Sequence, residues 1–184
     1  MRLFVAIDLP AEVIANLERL VNRLRPLARI SWTRPETWHL TTKFIGEWPE
    51  GRVAEVEAAL RALPGREPIP VEVRGLGFFP NARAPRVFWA GIEAPPGLAQ
   101  LARETEQALI PLGVAEEKRP YSAHLTLARI KEPVPLEGFH QAIAKLPSTE
   151  FGACTADRFC LYQSRLQPGG AVYTRLAEFP FVQP

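Results

Sequence analysis

Long apolar runs are missing from this chain of 184 residues; none approaches the roughly 18 consecutive apolar side chains that a membrane-spanning helix needs. A membrane partner is therefore not expected. Cysteine and histidine are scarce as well. Cys154 and Cys160 stand six residues apart in a strand-like stretch, a spacing that fits neither a disulfide scaffold nor paired metal ligands, so both are expected in the core. With only three His in the chain, a structural zinc site is not expected. An excess of charge of one sign is also missing. Twenty-two Lys plus Arg against 20 Asp plus Glu leave +2, which excludes the broad basic field of a protein that coats nucleic acid non-specifically. An anionic ligand must be met by a few placed groups.

What is present describes one full-sized domain, or two small lobes sharing a core, with 47% hydrophobic and 23% charged residues. The start, MRLFVAIDLPAE, has one Arg and a short apolar stretch ended by Asp8, which reads as a first strand and not as a signal peptide. A cytoplasmic monomer is expected. Nineteen Pro, and Arg outnumbering Lys 18 to 4, suit a thermophilic or GC-rich source.

After Pro10, the residues Val13, Ile14, Leu17, Leu20, Val21 and Leu24 recur at helical spacing, and Pro26 closes that helix. Further helices are expected over 52–63, 97–112 and 138–146. Strands are expected over 3–9, 30–33, 39–45, 69–79, 85–93, 121–130, 151–163 and 171–179, the last two as a hairpin around Gln167-Pro168-Gly169-Gly170. This order of elements repeats. A shift of 85 residues places His39-Leu40-Thr41 on His124-Leu125-Thr126, Pro10 on Pro95, Leu24 on Leu109 and Val87-Phe88 on Val172-Tyr173 without a gap. The fold class that follows is α+β, a single domain over 1–184 built as a pseudo-twofold duplication. Its two lobes are expected at about 1–93 and 94–184, with two antiparallel-rich sheets facing a central cleft and helices outside.

Two of the three histidines sit in the identical triplet His-Leu-Thr. On a strand, residues i and i+2 share a face, so His39 with Thr41, and His124 with Thr126, each set an imidazole beside a hydroxyl while Leu40 and Leu125 face the core. Related by a pseudo-twofold, the two pairs should meet across one cleft. Such a set suits phosphodiester cleavage, in which one neutral His takes a proton from water and a second, protonated His gives one to the leaving oxygen. The Thr hydroxyls would donate to the non-bridging oxygens. Neither metal nor cofactor is required, and no clustered Asp pair flanks either triplet.

Lys43 continues the His39 and Thr41 face by parity, so it either binds phosphate or snorkels at the strand end. Arg129 falls on the face opposite to His124 unless a bulge swings it inward. His140, without a repeat mate, reads as structural. Trp32, Trp38, Trp48, Trp89, Phe88 and Tyr173 are platforms for a nucleobase or core residues, with Tyr173 the foremost platform candidate because the repeat pairs it with Phe88.

These motifs, with RLFVAIDLP, HLTTKFIGE, GLGFFPNARAPRVFWAGI, HLTLARI and QSRLQPGGAVYTRLAEF, resemble the two-histidine phosphoesterases, and within them the RNA 2',3'-cyclic phosphodiesterases also called 2'-5' RNA ligases. The resemblance covers nearly the whole chain. It implies a bilobal α+β fold and metal-free opening of a 2',3'-cyclic phosphate at an RNA end to a 2'-phosphate, with ligation as the reverse reaction. It implies that His39 is the proton donor, His124 the base, Thr41 and Thr126 the phosphate-binding hydroxyls, and Arg129 a further binding residue. Thr42 departs from the apolar residue common after the first motif and is expected on the core face. A phosphodiesterase of small cyclic nucleotides or 2'-5' oligonucleotides would carry the same residues; a non-catalytic RNA-binding module is the reading from another class.

Overall fold

The computed structural model describes residues 1–182. In chain order these form β1 (Arg2–Ile7), α1 (Ala11–Leu24), β2 (Ser31–Trp32), β3 (Leu40–Glu47), α2 (Val53–Arg61), β4 (Ile69–Phe79), β5 (Val87–Glu93), α3 (Gly97–Leu109), β6 (His124–Arg129), α4 (Glu137–Ala144), β7 (Glu150–Ala156), β8 (Arg158–Gln167) and β9 (Gly170–Pro180). The strands make two antiparallel sheets, one in the order β3-β1-β8-β9 and one in the order β2-β6-β5-β4-β7. They face a central cleft, with the helices outside.

Each helix is held by the stripe its sequence shows. α1 buries Val13, Leu17, Leu20, Val21 and Leu24, and a 3-10 turn containing Pro26 ends it. It packs against β7 of the second sheet, where Asn16 Nδ2 donates to the Phe151 carbonyl at 2.7 Å. α3 buries Leu98, Leu101, Ala102, Thr105 and Leu109 and packs against β3 of the first sheet. The pseudo-twofold thus exchanges the sheets and carries α1 onto α3.

Sheet membership does not follow the halves of the sequence. The first sheet pairs β1 with β8, from opposite ends of the chain, and the second takes β4 and β5 as well as β6 and β7. The stretch 151–163, expected as one strand, is two. It breaks at Asp157, whose carbonyl accepts from the Phe181 N–H at 2.8 Å, and the chain passes there from β7 in one sheet to β8 in the other. Regular pairing in 121–130 starts only at His124, because Tyr121 is drawn across to β3. Among the described residues, no helix is long and apolar enough to cross a membrane.

Candidate active site

β1 is apolar on both faces. Leu3, Val5 and Ile7 enter the main core, whereas Phe4 and Ala6 turn to the cleft, where they form a small cluster with Cys160 and Tyr162, edged by Tyr173. His39, immediately before β3, leans on this floor. Its ring centroid lies 4.7 Å from Tyr162, 5.6 Å from Tyr173 and 6.3 Å from Phe4. Asp8 follows Phe4 and Ala6 on the same parity, and its Oδ1 stands 3.5 Å from His39 Nε2. The same carboxylate accepts from the Tyr162 hydroxyl and, through Oδ2, from Arg175 Nη2 at 2.8 Å. Burial pushes the His39 imidazole below its ordinary value; Asp8 and the Thr37 backbone push it back up, Arg175 pushes it further down, and the net direction is down. His39 Nδ1 is buried, and no group among the described residues meets it in full hydrogen-bond geometry.

His124 opens β6 in different surroundings. Its Nδ1 lies 2.7 Å from the Ser122 carbonyl, which can only accept, so Nδ1 carries a proton and Nε2 is left for chemistry. The Phe79 ring meets the imidazole edge-on at 5.0 Å and 87°, and Trp89 lies 5.2 Å beyond Phe79. The Trp89 indole lies over Gly77, its partner across the sheet. A Cβ at position 77 would come within 2.2 Å of the indole, so only glycine admits this packing.

Bonds in both directions tie the two His-Leu-Thr segments together. Trp38 Nε1 donates to Thr33 Oγ1 at 2.7 Å, and that hydroxyl lies 2.9 Å from the Thr126 and Leu127 carbonyls. In return, the Tyr121 hydroxyl, three residues before His124, donates to the Thr41 carbonyl at 3.0 Å. These bonds engage the carbonyls of Thr41 and Thr126, not their hydroxyls.

Both motif strands carry a bulge at the same place. Ala6 pairs with Thr41 and Val5 with Lys43, so Thr42 is the extra residue; Trp89 pairs with Thr126 and Phe88 with Ala128, so Leu127 is the extra residue. Thr42 and Leu127 are 85 positions apart, the offset of the repeat. Each bulge reverses the parity that follows. Lys43 is thereby turned out of the cleft and into the core side, where Nζ donates to Glu106 Oε1 at 2.7 Å and to the Ala115 carbonyl at 2.9 Å. This corrects the expectation that Lys43 shares the face of His39. Burial pushes the Glu106 carboxyl up, but the Glu117 N–H and Lys43 outweigh it and hold it below its usual value. Arg129 is turned the other way, into the cleft, near enough to Tyr173 that its charge and that of Arg2 oppose the upward push of burial on the phenol. Thr42 lies on the core side as expected, 5% exposed, with Oγ1 donating to the Val5 carbonyl at 3.2 Å.

Of the aromatic candidates, Trp38, Trp48 and Phe88 are core residues, and Trp32 packs on the core against Phe88 and Phe139. Trp89 and Tyr173 belong to the cleft. Cys160 is fully buried in the cluster with Phe4, Ala6 and Tyr162, and Cys154 is partly buried. Asp8, Tyr162 and Arg175 escaped the sequence reading. The signal for Asp8 was there, a carboxylate in step with the cleft-facing residues of an apolar strand; Tyr162 and Arg175 come from a strand pair whose place only the fold assigns. Among the described residues, no three His, Cys, Asp or Glu side chains are grouped as metal ligands.

The model of the LigT like Phosphoesterase family matches the chain twice, over residues 7–89 and 92–173, and the two starts are 85 residues apart. An RNA 2',3'-cyclic phosphodiesterase of Methanothermobacter thermautotrophicus is 33% identical over 97% of this chain and 98% of its own. One from Thermus thermophilus is 36% identical over 97% and 89%. Among solved structures, a protein of Thermus thermophilus superposes with a TM-score of 0.83 at 33% identity, covering 98% of both chains. LigT of E. coli, crystallised with 3'-AMP, gives 0.80 at 27%, covering 99% of this chain and 98% of its own.

Proposed function

The chain belongs to the LigT-like phosphoesterases, and from that premise we propose that it hydrolyses the 2',3'-cyclic phosphate at an RNA end to a 2'-phosphate, by proton transfers between His39 and His124. The observation that carries this reading is the pair of ties between the two His-Leu-Thr segments, Trp38 through Thr33 to the Thr126 carbonyl and Tyr121 to the Thr41 carbonyl, which hold the two segments to one another.

His124, whose Nδ1–H donates to the Ser122 carbonyl, in its neutral form presents the lone pair of Nε2, which takes a proton from the attacking water. The water oxygen bonds to phosphorus while the bond from phosphorus to O3' breaks. His39 Nε2 gives its proton to O3', and solvent later returns a proton to His39 and removes one from His124. The acid role requires an imidazolium that burial opposes, and Asp8 at 3.5 Å, together with the negative phosphate itself, favours it. Thr41 and Thr126 donate to the non-bridging oxygens, Arg129 meets phosphate charge, and Tyr173 lies against the ribose or its base. Lys43 has no part in this. With a 5'-hydroxyl as nucleophile in place of water, the same groups join RNA ends: the 5'-oxygen bonds to phosphorus as the bond to O3' breaks, leaving a 2'-5' linkage and a 3'-hydroxyl.

The test is incubation of the pure protein with an RNA ending in a 2',3'-cyclic phosphate, and with nucleoside 2',3'-cyclic phosphates, in excess chelator. The expected product is a 2'-phosphate with a free 3'-hydroxyl. A 3'-phosphate, or no turnover on either substrate, overturns the reading.

A further inference from the structure

The cleft face of β1 begins with a charge. Arg2 precedes Phe4 and Ala6 on the same parity, and β1 pairs with β8 without a bulge from Arg2 to Ala6, so nothing reverses its side. Arg2 stands opposite Ser164, and Ser164 opposite Tyr173, which sets the three residues in one row across the first sheet. The Tyr173 ring lies 4.7 Å from Phe4 and 5.6 Å from His39. The floor under the imidazole therefore ends, at its far side, on a guanidinium.

Arg2 is exposed, and its charge is unanswered. Among the described residues no carboxylate lies within ion-pair distance of it, and the same holds for Arg129, the other cation whose charge reaches the Tyr173 phenol. Glu47, which pairs with Arg2 on β3, has its carboxylate 3.8 Å from the Met1 amino group instead. The contrast is with Arg175, one row nearer to His39, which Asp8 and Glu178 hold. Two unpaired guanidiniums beside one ring repel each other, and an anion between them relieves the repulsion.

Resting on the reading of the cleft as a cyclic-phosphate site, we infer that Arg2 binds the phosphate on the 5' side of the terminal nucleotide, and so selects RNA ends over free nucleoside cyclic phosphates. The 2',3' edge of the ribose faces His39 and Thr41, the nucleoside lies over Tyr173, and the 5' carbon, on the far side of the sugar, leads on to Arg2. Thr41 pairs with Ala6, and Arg2 is four residues before Ala6, about 13 Å along the strand. A nucleotide together with an arginine side chain covers that span. A phosphate contact carries no base information, so every RNA end gains alike.

Steady-state rates test this on adenosine 2',3'-cyclic phosphate, on the same nucleotide carrying a 5'-phosphate, and on an RNA oligonucleotide ending in a cyclic phosphate, for the wild type, Arg2→Gln and Arg2→Lys. The wild type should take the two substrates with a phosphate on the 5' side at lower KM. Arg2→Gln should raise KM for both by roughly 10-fold to 100-fold, the loss of one charge-assisted hydrogen bond, with kcat unchanged and with KM for the plain nucleoside cyclic phosphate nearly as it was. Arg2→Lys should keep most of the preference. On the oligonucleotide, the fall of log binding constant with log salt should flatten in Arg2→Gln by about 0.7, one phosphate contact on a single strand. Calorimetric binding of adenosine 2'-monophosphate and adenosine 2',5'-bisphosphate needs no turnover. The wild type should hold the bisphosphate more tightly, and Arg2→Gln should bind the two alike. If the wild type turns over all three substrates at equal KM, or Arg2→Gln weakens all three equally, this inference fails and the assigned reaction stands. If the wild type turns over none of them, the assigned reaction fails, and the bisphosphate comparison still decides the role of Arg2.

Discussion

His39 and His124 hold equivalent places in the repeat, yet their surroundings are unlike. His39 lies on an aromatic floor within reach of a carboxylate that also holds Tyr162 and Arg175. His124 has a backbone carbonyl on Nδ1 and a phenyl edge beside it. The pseudo-twofold thus supplies two similar strands, and the sheets on which they rest make the imidazoles unequal. A symmetric pair could not divide acid from base. Unlike neighbours can, because a charge nearby sets protonation whereas a carbonyl on Nδ1 sets the tautomer and orientation.

The largest effects should come from removing either imidazole. His39→Ala and His124→Ala should each lower kcat by about 10²-fold to 10⁴-fold, since each removes one proton transfer. His140→Ala, whose ring packs on Phe78 at 5.1 Å, serves as the control and should leave kcat nearly unchanged. Turnover that depends on His140 and tolerates loss of either motif histidine would break the comparison at its root.

Thr41→Val and Thr126→Val come next, with losses of roughly 10-fold to 10³-fold in kcat, one hydrogen bond to a developing charge being lost while others remain. Equal losses would mean that the phosphate sits symmetrically; unequal ones would show which half holds the oxygen that gains most charge.

Asp8→Asn sharpens the contrast through pH. Burial lowers the His39 pKa and Asp8 raises it, so removing the carboxylate charge lowers it further. The acid must be protonated, so kcat/KM should fall as pH rises through that value, and in Asp8→Asn the fall should begin at lower pH. The opposite limb, which needs a neutral imidazole, should move less, although both limbs belong to the pair. An unchanged profile would mean that Asp8 does not set the protonation of His39.

Lys43→Met should leave kcat close to wild type and lower stability instead. It strands Glu106, whose side chain is 21% exposed, with its Glu117 contact alone, at a cost of about 1–3 kcal/mol read as a fall in Tm. A stable protein with a large KM increase would return Lys43 to the cleft. The smallest effect expected is that of excess chelator on turnover, because the proposed mechanism draws acid, base and charge stabilisation from side chains alone.

The duplicated triplet, the 85-residue offset and the helical stripes carried the architecture, because hydrophobic period and local motif are written in consecutive residues. Parity placed each histidine beside its threonine. It failed just beyond, at Lys43 and Arg129, because an extra residue in one strand reverses every later side chain and shows only when the partner strand is present to count against.

The sequence by itself therefore determined which residues are the candidates for the chemistry and that they come in two copies, since residue types and spacings are local properties. Only the tertiary structure decided which neighbours each copy meets. β8 crosses from the far end of the chain to lie beside β1, bringing Tyr162 onto the floor under His39, and β9 adds Tyr173 and Arg175. Contacts between residues more than 150 positions apart, such as Asp8 with Tyr162 and with Arg175, arise from strand order, and strand order follows from how two sheets bury their apolar faces together.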